Sequence, residues 1–308
     1  MIKAVNPLDY LSPVYWPTWF ALGIMRLVTF LPLPGIVFCG SILGKLFYIL
    51  LPERRRVAEI NLRIAFPEAS DRDIHRRVKL CFKNMAVGIF EQALNWWHND
   101  RLLKLCKIEG AEYLQPPEGK GIILLSAHFT CLGVPGPTLM KHLPVPLQVM
   151  YKHAHNKLFD AFMFYHRCQL YADVVDYHKP IAMIRGLKKG NAAWYAPDQD
   201  FRGKDMIFAP YFGIMASTLT APSRFAKISG APVVPYSIRR DDDNRGYTLK
   251  VQPPLKNFPS DDEEQDAITL NRTLEQLIMQ NPEQYLWVHK RFKNRPQGEP
   301  PIYPAKSR

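Results

Sequence analysis

Hydrophobic and polar positions fall into blocks along the chain. Tyr10–Leu51 is apolar, with Arg26 and Lys45 as its only charges, and its longest uncharged run, Leu27–Gly44, is interrupted by Pro32, Pro34 and Gly35. A clean spanning helix needs about twenty apolar residues. The pattern therefore predicts two helical pieces, Tyr15–Phe30 and Ile36–Leu51, hinged at Leu31–Gly35. Tyr15, Trp16 and Trp19 have the composition of an interfacial aromatic belt, and Arg54-Arg55-Arg56 follows as a cytoplasmic flank would. No basic stretch with a small-residue cleavage site accompanies the block, so membrane attachment is expected rather than a cleaved signal. The chain divides on this reading into a membrane-attaching segment, 1–56, and an α/β domain, 57–308.

Beyond the flank the periodicity alternates between helix and strand. Ser70 is placed to cap a charged helix through about Met85, whose stripe is Ile74, Val78, Phe82 and Met85, and the pattern resumes through Phe90–Trp97. Ile108–Leu114 reads as a short strand and turn. Short apolar runs bounded by turn residues predict buried strands at Ile122–Leu125, Val145–Tyr151, Ala172–Val175, Ala192–Tyr195, Val233–Ser237 and Tyr247–Gln252. Between them, helices are expected over Leu158–Tyr171, Ile181–Lys189 with Gly190 as its cap, Ser217–Ser229 and Asp261–Gln280. The tail, Glu283–Arg308, is basic and proline-rich. This alternation predicts a mixed, mostly parallel sheet flanked by helices.

Charge changes the picture: a formal net charge of +12 on 308 residues favours an anionic partner. Nucleic acid is excluded as that partner, because the aromatics gather in the N-terminal block and the strands, away from basic residues. The five cysteines are dispersed with no CxxC, which points to a reducing compartment and to neither a zinc site nor a disulfide framework. His153, His155 and His178 match no tetrahedral ligand spacing, so no metal and no cofactor is expected.

The candidate chemistry gathers at strand ends, where ligands collect in parallel sheets. His128 closes one strand, Asp198-Gln199-Asp200 another, and Lys152 a third, with His166 and Arg167 on a following helix. A histidine base with cations around it suits transfer of a group to a hydroxyl of an anionic substrate. GxxxxGK[ST], GxGxxG and Gly-x-Ser-x-Gly are all absent, which argues against nucleotide folds and a serine acyl-enzyme.

Four stretches carry a resemblance: Leu187–Gly190, Trp194–Asp200, Ser229–Ala231 and Pro282–Lys293. With their order and spacing the chain resembles, along nearly its whole length, the late acyltransferases of lipid A biosynthesis in the glycerophospholipid-acyltransferase superfamily. The resemblance implies transfer of a fatty acyl chain from acyl carrier protein to a hydroxyl of a lipid A precursor, an anionic glycolipid, at the cytoplasmic face of the inner membrane. It implies His128 as the catalytic base, with Lys152, Arg167, Asp198 and Asp200 on the substrate. Lys290, Arg291, Lys293 and Arg295 are expected to meet the acidic carrier protein or lipid headgroups.

Several site positions depart from the family pattern. The family motif is His, four residues, then Asp or Glu; here the last position is Gly133. Pro137 stands for an arginine, Tyr151-Lys152 for Tyr-Arg, and Asp176-Tyr177 for Asp-Arg. Three readings stay open: an acyltransferase whose His128 acts alone or is oriented by Asp198 or a main-chain carbonyl; a non-catalytic binder of lipid or carrier protein; and a transferase with an amine-lipid acceptor.

Overall fold

A computed structural model of the chain describes residues 6–304. Met1–Val5 of the expected membrane segment and Ala305–Arg308 of the expected tail lie outside the described residues. The N-terminal apolar block forms two helices, α1 (Trp16–Val28) and α2 (Leu33–Leu50). Pro34 and Gly35 open α2 rather than hinge the chain, since a proline in the first turn sacrifices no intrahelical hydrogen bond. Arg101 donates to the carbonyls of Thr29 and Leu31, satisfying the exposed end of α1.

A third helix, α3 (Pro52–Ala65), holds the three arginines expected as a flank, and α4 (Asp71–Trp97) is one continuous helix where two pieces were expected. Ser70 caps α4 through Asp73 N–H, as its sequence position indicates. α2 lies along α4 by its small-residue side. A Cβ on Gly40 would fall 2.6 Å from the Val87 Cα, and one on Gly44 2.7 Å from the Lys83 Cα. Only glycine permits that approach.

The remaining elements are α5 (Asn99–Leu105), β1 (Cys106–Glu109), β2 (Ile122–Leu125), α6 (Pro135–His142), β3 (Leu147–Tyr151), α7 (Lys157–Leu170), β4 (Asp173–Asp176), α8 (Pro180–Lys188), β5 (Ala192–Tyr195), β6 (Met206–Tyr211), β7 (Ile214–Leu219), α9 (Ala221–Ser229), β8 (Val233–Arg240), β9 (Tyr247–Val251) and α10 (Glu263–Gln280). Seven strands form one sheet in the order β1-β9-β8-β2-β5-β3-β4. From β8 to β4 all neighbours are parallel; β9 runs antiparallel to β8 and parallel to β1. The mixed, mostly parallel sheet expected from the alternation is the one observed. β2, apolar at every position, is buried along its whole length at the centre.

One expectation is corrected. Ser217–Leu219 belongs to β7, and α9 starts only at Ala221, with Pro222 in its first turn. β6 and β7 make a separate antiparallel hairpin turned by Phe212 and Gly213, both at positive φ. Phe212 pays the strain of that conformation, and its N–H donates to Glu275 Oε1 at 2.6 Å. Without Asn-Gly or Asp-Gly at the turn, the sequence carries no strong hairpin signal.

Beneath the sheet a buried ion pair joins α4 to β8. Arg240 Nε donates to Glu91 Oε1 at 2.7 Å, Tyr247 O–H donates to the same oxygen, and Asn84 Oδ1 accepts from Arg240. Both charged side chains are almost fully buried.

Candidate active site

β2 and β5 are parallel neighbours in register, with Leu125 opposite Tyr195. Ser126 N–H donates to the Tyr195 carbonyl at 3.0 Å, carrying the ladder past the strand ends. His128 and Asp198, each the third residue beyond that last pair, therefore emerge side by side. His128 Nδ1 lies 2.6 Å from Asp198 Oδ1, and His128 N–H donates to Asp198 Oδ2 at 2.9 Å. Tyr285 O–H donates to the same Oδ2 at 2.9 Å.

The carboxylate is 1 % exposed and the imidazole 26 %. Burial alone would push Asp198 up. The facing His128 charge, its two hydrogen bonds and the Tyr285 hydroxyl outweigh burial and hold Asp198 at about 2. Burial would lower His128, but the charge and hydrogen bond of Asp198 raise it above its ordinary 6.5. An ionised carboxylate only accepts, so the imidazole carries its proton on Nδ1 and leaves Nε2 as a free acceptor.

His128 opens on a cleft of about 240 Å³ whose lining includes Lys152, Tyr177, Trp194, Gln199 and Asp200. Met150, Tyr177, Tyr195, Phe201 and Leu219 also line a second cavity of about 280 Å³, which continues to Ile181, Ile184, Phe225 and Ile228. The two share those five residues and form one mostly apolar groove, with Asp205 and Arg224 also on the wall of its second part. Ile181 and Ile228 at the far end are exposed.

The structure brings together only some of the expected site residues. Lys152 lines the cleft, its Nζ 5.7 Å from the Tyr177 ring centroid. Asp200 lines it too; its Oδ1 accepts Asn294 N–H, its own N–H donates to His289 Nε2 at 3.0 Å, and burial raises its pKa. Burial lowers His289 to about 4, so it stands as a neutral acceptor. Asp198, expected on the substrate, is taken up by His128 and Tyr285. Arg167 is not in the cleft: it donates to the Met150 carbonyl and lines a small cavity with Gly133, Asn95 and Tyr171. Trp194 lines both spaces, and its ring stands edge-on to His128 with centroids 6.3 Å apart.

Gly133 packs against Gln92 of α4. A Cβ there would sit 2.7 Å from Gln92 Oε1, so the position is a close helix contact with α4 and leaves no gap beside His128.

The basic cluster also needs correction. Arg291 is 3 % exposed and donates to Ser217 O and Thr218 Oγ1, so it cannot meet a partner. Arg295 holds the Met215 carbonyl and Glu299, and Lys290 pairs with Glu53 at 2.8 Å. Lys293 is exposed, and both it and Arg202 bear electrostatically on Asp200 at the cleft rim. Tyr285, His289 and Asn294 were not marked as site residues by sequence reasoning. Tyr285 and His289 stand in the stretch that carries the resemblance and Asn294 directly follows it, but nothing in their spacing assigns them to the far strand ends.

Comparison with known proteins identifies the chain's relatives. The bacterial lipid A biosynthesis acyltransferase family matches residues 7–294. The lipid A biosynthesis lauroyltransferase of Escherichia coli K12 is 34% identical over 297 residues, covering 95% of this chain and 96% of the relative. The palmitoleoyltransferase of the same organism is 31% identical over 299 residues, with 96% and 97% covered. Among solved structures, the 1-acyl-sn-glycerophosphate acyltransferase PlsC of Thermotoga maritima is similar at a TM-score of 0.39 and 16% identity, covering 79% of this chain and 97% of that one. With a histidine–aspartate pair at the mouth of an apolar groove, and a match running through that site to the C-terminal segment, the chain belongs to the bacterial lipid A biosynthesis acyltransferase family.

Proposed function

We propose that the protein moves a fatty acyl chain from the thioester of acyl carrier protein to a hydroxyl of a lipid A precursor, on the cytoplasmic face of the inner membrane. The observation that carries the reading is the His128–Asp198 pair on the wall of a long, mostly apolar groove. Nε2 takes the proton of the acceptor hydroxyl as its oxygen attacks the thioester carbonyl. The C–S bond then breaks, and the imidazolium returns that proton to the departing sulfur. Asp198 stabilises the imidazolium and fixes the tautomer, the task assigned by the motif to the residue that is Gly133 here. That contact favours a working enzyme over a binding-only homologue.

The acyl chain lies in the groove toward Ile184 and Ile228, with Lys152 and the rim cations Arg202 and Lys293 toward the anionic headgroup or the carrier protein. α1 and α2 supply the membrane contact. α2 is long and apolar enough to cross a bilayer by length and composition, but it is joined along its inner side to the charged helix α4. Its outer stripe, Phe38, Ile42, Leu46 and Ile49, is exposed, as are Trp16, Phe20, Ile24 and Leu27 of α1. Two stripes of that kind suit a hairpin lying in the headgroup region.

The test is turnover of lauroyl–acyl carrier protein with a lipid A precursor in mixed micelles, read by mass spectrometry for wild type and His128→Ala. Acylated glycolipid from wild type alone is expected. Equal product from both would overturn the reading, and product appearing only on an added amine lipid would move the acceptor to that class.

A further inference from the structure

The segment from Pro282 to Asn294 crosses the site after α10 has ended. Thr130 N–H donates to the Gln284 carbonyl at 2.8 Å, and Leu286 N–H donates to the His128 carbonyl at 3.1 Å. Phe129 and Tyr285 thus form an isolated antiparallel bridge. The backbone that carries His128 is stitched on both sides to the backbone that carries Tyr285. The same segment is anchored from α3: Asn61 Nδ2 donates to the Trp287 and His289 carbonyls at 2.7 and 2.8 Å, and Arg54 donates to the Val288 carbonyl. The Tyr285 ring packs edge-on against Trp287 and Phe129, with centroids 4.8 and 6.4 Å away, and the residue is 5 % exposed.

We propose that Tyr285 is a positioning residue for the base, its hydroxyl fixing the Asp198 carboxylate in the rotation that presents Oδ1 to His128 Nδ1. The assignment rests on the acyl-transfer reading above. Asp198 is sealed from solvent, so protein donors alone set its plane. Oδ2 is held by two of them, the His128 N–H and the Tyr285 O–H, each at 2.9 Å. With both in place, Oδ1 is left to the imidazole at 2.6 Å. Without the hydroxyl, one main-chain donor holds Oδ2 and the carboxylate can turn about it. Tyr285 touches neither thioester nor acceptor and acts only through Asp198.

The groups bearing on His128 are Asp198 after β5, Tyr285 and His289 from the C-terminal segment, Lys152 after β3, and Asp200 with Tyr177 on the cleft wall. Tyr285→Phe removes the donor to Asp198 and the hydroxyl that faces Tyr211 on β6, and keeps the ring contacts.

The experiment uses the full chain with lauroyl–acyl carrier protein and a lipid A precursor, and compares wild type, Tyr285→Phe and His128→Ala. For Tyr285→Phe, kcat is expected to fall about tenfold with KM unchanged, the loss of one hydrogen bond to a charged group. As Oδ1 loses its fixed place on Nδ1, the acid limb of kcat/KM is expected to move to lower pH, and an NMR titration of His128 should show the same downward displacement without any turnover. An unchanged kcat with an unmoved limb overturns the proposal. So does a lower kcat with limb and titration unmoved, which marks a packing role only. If His128→Ala keeps the wild-type rate, the acyl-transfer reading fails, and the His128 titration still judges the Tyr285 contact.

Discussion

Replacing Asp198 by asparagine isolates what the carboxylate contributes, because the side chain keeps its shape and loses its charge. The outcome follows from the donors around it. Oδ2 faces two N–H or O–H groups, from His128 and Tyr285, whereas Oδ1 faces His128 Nδ1 alone. The carboxamide oxygen therefore takes the Oδ2 place and its NH₂ turns to Nδ1. A donor there forces the imidazole proton onto Nε2, the atom that has to receive the hydroxyl proton. In a serine-protease triad the equivalent swap lowers kcat by about four powers of ten, about 5 kcal/mol of barrier, and a loss of that order is expected here.

The pH response gives an independent reading. The base is active when neutral, and Asp198 holds the wild-type His128 above 6.5, so wild-type kcat/KM falls as pH drops through that raised value. In Asp198→Asn only burial remains, and the residual activity should have its acid limb at lower pH. Stability responds in a lower pH range. Asp198 sits at about 2 against 3.8 unfolded, so its contribution is present above 3.8 and disappears as pH falls toward 2. Steady-state turnover against pH, with a denaturant curve to confirm folding, makes the measurement. A folded Asp198→Asn protein within tenfold of wild-type kcat, with its limb unmoved, would refute the argument.

Three further outcomes follow from packing. Gly133→Glu, which recreates the family's motif acid, should give no gain in kcat and should cost about 1–3 kcal/mol of stability by overpacking against Gln92; higher turnover in that variant would count against the geometry. Glu91→Ala leaves Arg240 charged and uncompensated beneath the sheet and should lower stability by about 3–5 kcal/mol in chemical unfolding. Phe38→Ser, Ile42→Ser and Leu46→Ser combined remove much of the exposed stripe of α2 while sparing its contact with α4. Vesicle sedimentation should show weakened binding with an unchanged unfolding midpoint, and full binding by the triple variant would rule out this face as the lipid contact.

The sequence by itself determined the elements that local physics controls. A short apolar run bounded by turn residues, such as Ile122–Leu125, reads as a strand buried on both faces, and the polar residue beyond it, His128, then falls at the strand's carboxyl end. Ser70 caps α4 through a contact three residues away, which spacing encodes directly. The apolar N-terminal block and the alternation of strands with helices were legible for the same reason. What only the tertiary structure decided are the contacts between residues far apart in sequence. Asp198 meets His128 across seventy residues because β2 and β5 are neighbours in register, an order that no local pattern states. Gly133 lies close in sequence to the base and still points at Gln92, since the turn after His128 aims it at α4. Arg291 looks like a surface cation in a basic run, but the β6–β7 hairpin folds over it and takes up its hydrogen bonds. Charge and periodicity report what a residue is and which face it occupies; the sheet order and the packing of its helices decide which partner it meets.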